Sequence, residues 1–142
     1  MRLFSVAQAK SLLPDVEKVL KRVMRVREKI EEVLDGEEPV VEFSSDDGFH
    51  SFVTQNVKVN KEFHRLYYQF YASLESLHKM GVELRDIDEG IVDFPSRLQG
   101  RKGFLCWQVG EGDILSWHDE DVDVEERVPI LDLDEYLKKK SL

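Results

Sequence analysis

The chain has 142 residues, enough for one domain with an ordinary core, and its single cysteine, Cys106, excludes an intrachain disulfide and fits a reducing compartment. Its net charge of −9 is uneven: residues 109 to 135 hold eleven acids against Arg127 alone, so this stretch carries −10 and the rest +1. A field of that sign repels phosphate backbones, which argues against a nucleic-acid partner. The opening MRLFSVAQAK lacks the apolar core of a secretion signal, and no run approaches the roughly 18 apolar residues of a membrane span. A soluble, cytoplasmic protein with no membrane partner is expected. Charged residues reach 35%, with one threonine and two asparagines, a usage resembling that of thermophile proteins.

Ser5 with Gln8 predicts a capping-box helix start, and Leu13, Val16, Leu20, Val23 and Ile30 then recur at helical spacing until Gly36. Pro14 predicts a kink or the loss of the first turns. The cations Lys18, Lys21, Arg22, Arg25, Arg27 and Lys29 are interleaved with Glu17, Glu28, Glu31 and Glu32, which reads as a solvated, salt-bridged face. Residues 37 to 54 read as a loop with an extended piece at Val40 to Phe43. A second helix begins between Val53 and Val57, with Phe63, Leu66, Phe70, Leu74 and Leu77 on one stripe, and ends at Gly81 in a left-handed cap.

Beyond Gly81 the period changes to two, broken by turns at Asp88 to Gly90, Ser96 to Gly100 and Gly110 to Asp113. The strands expected are Val82 to Ile87, Ile91 to Phe94, Lys102 to Val109 and Ile114 to His118, followed by a short C-terminal tail. The fold class is therefore α+β: two long antiparallel helices (about 5–81) packed on an antiparallel β-meander (about 82–131), all in one domain, 1–142. An even-length turn at Gly110 to Asp113 pairs Trp107 with Ser116 and puts Trp117 and Cys106 on the opposite face. Large apolar groups on both faces, with Phe104, Leu115 and Trp117 or their opposite set uncovered, then predict a homodimer that buries one set.

No nucleotide, protease, nuclease or zinc motif occurs, so the enzyme question stays open and no cofactor is established. The residues singled out are polar ones set in apolar strands. His118 ends a strand near Glu111, Asp119 and Glu120, and Asp93 follows two apolar residues where an unpaired carboxylate is costly. Asp93, Glu111 and His118 are the candidate ligands for a divalent cation. Asp93, Arg101, Trp107 and Arg127 are the candidate contacts to a small ligand, Trp107 as an apolar wall and the arginines for an anion. A histidine there is also the mark of a packed, hydrogen-bonded residue, and the bland partners for Asp93 are a backbone amide, Arg97 or Arg101.

His118 to Glu125 offers oxygens at alternate positions, but a loop opened at Asp119 has Val124 at the glycine place and Ile130 at the closing carboxylate, so an EF-hand does not fit. His64 and His78 lie fourteen residues apart on one helix, too far to share a metal, and Cys106 between Leu105 and Trp107 reads as inert core. The competing reading is a non-catalytic, self-associating interaction domain that offers a protein partner its acidic C-terminal region.

The pieces Leu12-Leu13-Pro14, Gly81-Val82-Glu83-Leu84-Arg85-Asp86, Gly90 to Pro95, Gly100-Arg101, Leu105-Cys106-Trp107, Gly110-Glu111, Trp117-His118 and Arg127 stand in fixed order. In them the chain resembles a prokaryotic domain-of-unknown-function family, twenty-two-oh-three, along nearly its whole length. The resemblance implies a common fold and carries no activity. The chain departs from the pattern at Asp119 to Glu126, where the resemblance calls for a glycine-bearing segment and this sequence has acids and two valines.

Overall fold

Ser5 and Gln8 cap one another's backbone amides at 2.9 and 3.1 Å, and from that box helix α1 (Val6–Leu34) runs for 29 residues. The computed structural model describes residues 2–36, 41–44, 50–53, 57–114 and 116–130, with side chains for 2–36, 60–114 and 116–130. Pro14 lies inside α1 without splitting off its first turns. Leu13 and Val16 beside it are buried against the sheet, so packing holds the turn that lacks an amide donor.

The segment read as a loop contains a hairpin, β1 (Val41–Ser44) and β2 (His50–Val53), in antiparallel register from Val41↔Val53 to Ser44↔His50. Helix α2 (Val57–Lys79) follows, and its end has a physical cause in Gly81. With φ at +86°, Gly81 donates to the His78 carbonyl, Val82 donates to Leu77, and the Val82 and Leu77 side chains join the same apolar cluster.

The expected meander is present with one strand more. β3 (Glu83–Asp86), β4 (Ile91–Leu98), β5 (Arg101–Gln108), β6 (Ser116–Asp119) and β7 (Val128–Pro129) lie in sequence order, each antiparallel to its neighbour. β4 runs past its expected end at Phe94 and reverses within the expected turn, at Gln99 and Gly100, whose φ values of 50° and 78° suit a two-residue hairpin turn. Pro95 is tolerated within it because β3 stops short there. The start of the chain fills the place: the Phe4 amide donates to the Pro95 carbonyl at 2.7 Å, and Ser96 Oγ donates to the Phe4 carbonyl.

The β5–β6 register corrects the expected faces. The observed pairs are Phe104↔His118, Leu105↔Trp117 and Cys106↔Ser116, one residue from the predicted Trp107–Ser116 pairing, because the connection between the strands is odd in length. A one-residue slip exchanges every side chain between faces. Trp107 and Trp117 therefore share the helix-covered face with Val92, Phe94 and Leu105, packed on Val16, Leu20 and Val23 of α1 and Leu77 of α2. Trp117 and Phe104 are buried within their own chain, so the uncovered set that predicted the homodimer is absent for those two; Leu115 lies outside the described residues. Val26, Ile30, Phe63 and Leu66 form a second cluster between the helices. Among the described residues no helix is long and apolar enough to cross a membrane.

Candidate functional site

The sheet face turned away from the helices carries Asp93 on β4, Phe104 and Cys106 on β5, and Ser116 and His118 on β6. Asp93 is fully buried and His118 nearly so, and His118 Nε2 lies 2.7 Å from Asp93 Oδ2. The same oxygen accepts from Arg85 Nε at 2.6 Å, while the far end of that guanidinium holds Glu83. Arg85 reaches this position through a β-bulge. Leu84 pairs with Val92 and Asp86 with Ile91, which leaves Arg85 as the extra residue, re-aimed at Asp93. Its guanidinium covers the Phe104 ring at 4.6 Å, and that ring stacks on the His118 imidazole with centroids 5.2 Å apart.

The partners of the imidazole fix its protonation. Nδ1 faces two carbonyl oxygens, Asp119 at 3.1 Å and Val122 at 3.0 Å, neither of which can donate, so Nδ1 carries a hydrogen. Nε2 faces a carboxylate. Burial opposes the cation, but the hydrogen bond and charge of Asp93, with the two carbonyls, raise the His118 pKa above the ordinary histidine value. The result is an imidazole held between a carboxylate and the loop after β6, with both ring nitrogens engaged. The other Asp93 oxygen, Oδ1, is buried with no well-aligned hydrogen bond, and the Cys106 thiol interacts with this carboxylate.

The site residues named from sequence are distributed as follows. Asp93 and His118 come together. Glu111 does not join them: its carboxylate accepts from the Gln108 amide at 3.1 Å and lies 3.8 Å from Arg127, and its carbonyl takes the Trp107 indole N–H. Trp107 is on the helix-covered face. Arg101 pairs with Asp119 at 2.9 Å, and Arg127 contacts Cys106 Sγ and Gln108 Oε1. Burial pushes the Cys106 thiol up to about 11, with Asp93 reinforcing the shift and Arg127 opposing it. Among the described residues no group of three or more His, Cys, Asp or Glu is set to hold a metal.

Arg85 and Phe104 are the participants that sequence reasoning missed. Alternation from Glu83, which pairs with Asp93, gives the signal for Arg85, and the Phe104↔His118 pair gives the signal for Phe104. A cavity of about 550 Å³ adjoins the network, lined by Arg85, His118 and the carboxylates Asp86, Glu120, Asp121, Asp123 and Glu125.

A family model described as an uncharacterized conserved protein, DUF2203, matches residues 2–130. The chain belongs to that family. No curated protein and no solved structure matches it. The buried Asp93–His118 pair thus lies inside the family region, as do the bulge and both tryptophans.

Proposed function

We propose that the protein is a small-ligand-binding domain whose site is the cavity over Arg85 and His118. The observation that carries this reading is Asp93, a fully buried carboxylate that takes Arg85 and His118 on one oxygen and has the Cys106 thiol beside it. A charged network of this kind is weak evidence for stability, because well-packed apolar residues hold a fold as well, and a perturbed ionisable group beside a cleft is a mark of function. Binding is favoured over acid–base catalysis because both imidazole nitrogens are engaged.

The chemistry of the cavity selects the ligand. The lining offers guanidinium N–H donors and five carboxylates, so the complement is a small molecule that carries both an acceptor and an amine. A divalent cation is the other candidate that the acidic lining attracts, and it requires the 120–125 loop to bring carboxylates together. Thermal melts against amino acids, diamines, calcium, manganese, nickel and zinc test both. A true ligand at a hundredfold over its Kd adds about 2.7 kcal/mol of stability. That gain disappears in Arg85→Ala if the cavity is the site; no shift from any of these compounds would overturn the reading.

A further inference from the structure

The cations of α1 are not evenly paired, and the pattern defines a second surface. Lys21 bonds Glu17, and Arg27 bonds Glu31 and Asp88. Those glutamates are therefore spent on other sides of the helix. Lys18, Arg22, Arg25 and Lys29 fall on one exposed stripe at spacings of four, three and four, and none of them has an ion pair among the described residues. The charge of Lys29 reaches Glu62 on α2, but that carboxylate is already held by Arg65. Beside the stripe, Tyr68 of α2 is 78% exposed, its ring open to solvent. Between the helices lies a groove of about 380 Å³ with Arg22, Arg25 and Lys29 on one wall, Tyr68 and Ser73 on the other and Val26 between them.

From this juxtaposition we propose that the α1–α2 groove binds a nucleotide, its phosphate chain on Arg22, Arg25 and Lys29 and its base on the Tyr68 ring. No acid lines the groove itself, so its lining is positive on a chain of net charge −9, with Glu28, Glu32 and Glu62 the acids nearest in the sequence and across to α2. Guanidinium forks match phosphate oxygens in pairs. The three cations span about 10 Å of helix at 1.5 Å per residue, more than one phosphate reaches and a fit for a chain of them. An exposed tyrosine beside the phosphate site supplies a stacking face for the base. The groove has a small ligand's dimensions, and a long polyanion leaving it would cross the acidic remainder of the chain, which disfavours nucleic acid.

The test is calorimetric titration of the full chain at low salt with adenosine triphosphate, with tripolyphosphate as the probe without a ring and with a single-stranded oligonucleotide. Adenosine triphosphate should bind at least several-fold more tightly than tripolyphosphate. Tyr68→Ala should bring the two together, and Arg22→Glu with Arg25→Glu should abolish both. These side chains are exposed, so the variants should keep the wild-type melt, checked by circular dichroism. The proposal fails if adenosine triphosphate does not bind, if the double variant still binds it, or if Tyr68→Ala leaves its affinity unchanged. Much tighter binding of the oligonucleotide overturns it in favour of nucleic acid. None of these outcomes bears on the Arg85 cavity, which the Arg85→Ala melts judge separately.

Discussion

At the scale of single residues, the Asp93–His118 pair makes stability depend on pH in a stated direction. His118 has a raised pKa in the fold, so its contribution is fully present below the unfolded histidine value, about 6.5, and is lost as pH rises through the folded value. Within that window, denaturant unfolding should show stability falling by about 1.4 kcal/mol per pH unit, the slope of one extra proton held by the folded state. His118→Gln should flatten that stretch; an unchanged slope in the variant would place the titrating group elsewhere. Asp93→Asn removes the counter-charge and should flatten it too. Cys106 makes an independent residue-scale prediction. A thiol at about 11, buried between strands, is almost entirely protonated near neutrality. Iodoacetamide at pH 8 should leave the folded protein unmodified and label it stoichiometrically in denaturant, and rapid labelling of the native state would contradict the inert reading.

At the scale of elements, the parts that short-range patterns dictate were legible in the sequence, and the parts that pairing decides were not. The capping box at Ser5, the Gly81 cap and the alternation after it depend on neighbours within a few residues, and the structure has all three. The face assignment of Trp107 and Trp117 depends on the parity of a connection whose length the glycines at 110 and 112 do not fix, and there the expectation slipped by one. The same limit applied to the site. Asp93 and His118 were visible as polar residues in apolar strands, whereas Arg85 is marked only once Glu83 is known to pair with Asp93, and Glu111 was drawn into closing its own turn. The register makes a prediction of its own at Gly103. A methyl group there would stand 2.3 Å from the Trp117 ring and 2.7 Å from the His118 carbonyl, on the covered side of the sheet. Gly103→Ala should cost at least about 1–3 kcal/mol, the usual penalty of overpacking, because backbone and a buried indole cannot both retreat. Chemical denaturation measures it, and a neutral outcome would argue for the other register.

At the scale of the whole molecule, charge and apolar surface are sorted in a way that bears on self-association. The helices cover the sheet face with both tryptophans, and on the opposite face Arg85 lies over Phe104 and Arg127 contacts Cys106. The dimer expected from a sheet apolar on both sides therefore loses the surface that motivated it. The exposed large apolar side chains among the described residues are Leu3, Leu34, Tyr68 and Tyr71, with Leu3 and Leu34 at opposite ends of α1 and the tyrosines on α2. Leu3 and Leu34 make no continuous patch of the size a stable interface buries, roughly 800 Å² from each partner. The basic stripe on α1 and the acidic loop at 119 to 126 are of opposite sign, so a weak head-to-tail contact between copies is electrostatically allowed, though each copy carries −9 and repels the other at longer range. Light scattering at micromolar concentration in 0.15 M salt should accordingly give the monomer mass, 16.6 kDa. A contact between stripe and loop would appear as mass that rises with concentration and disappears in high salt. A dimer mass that persists in 0.5 M salt would instead restore the homodimer.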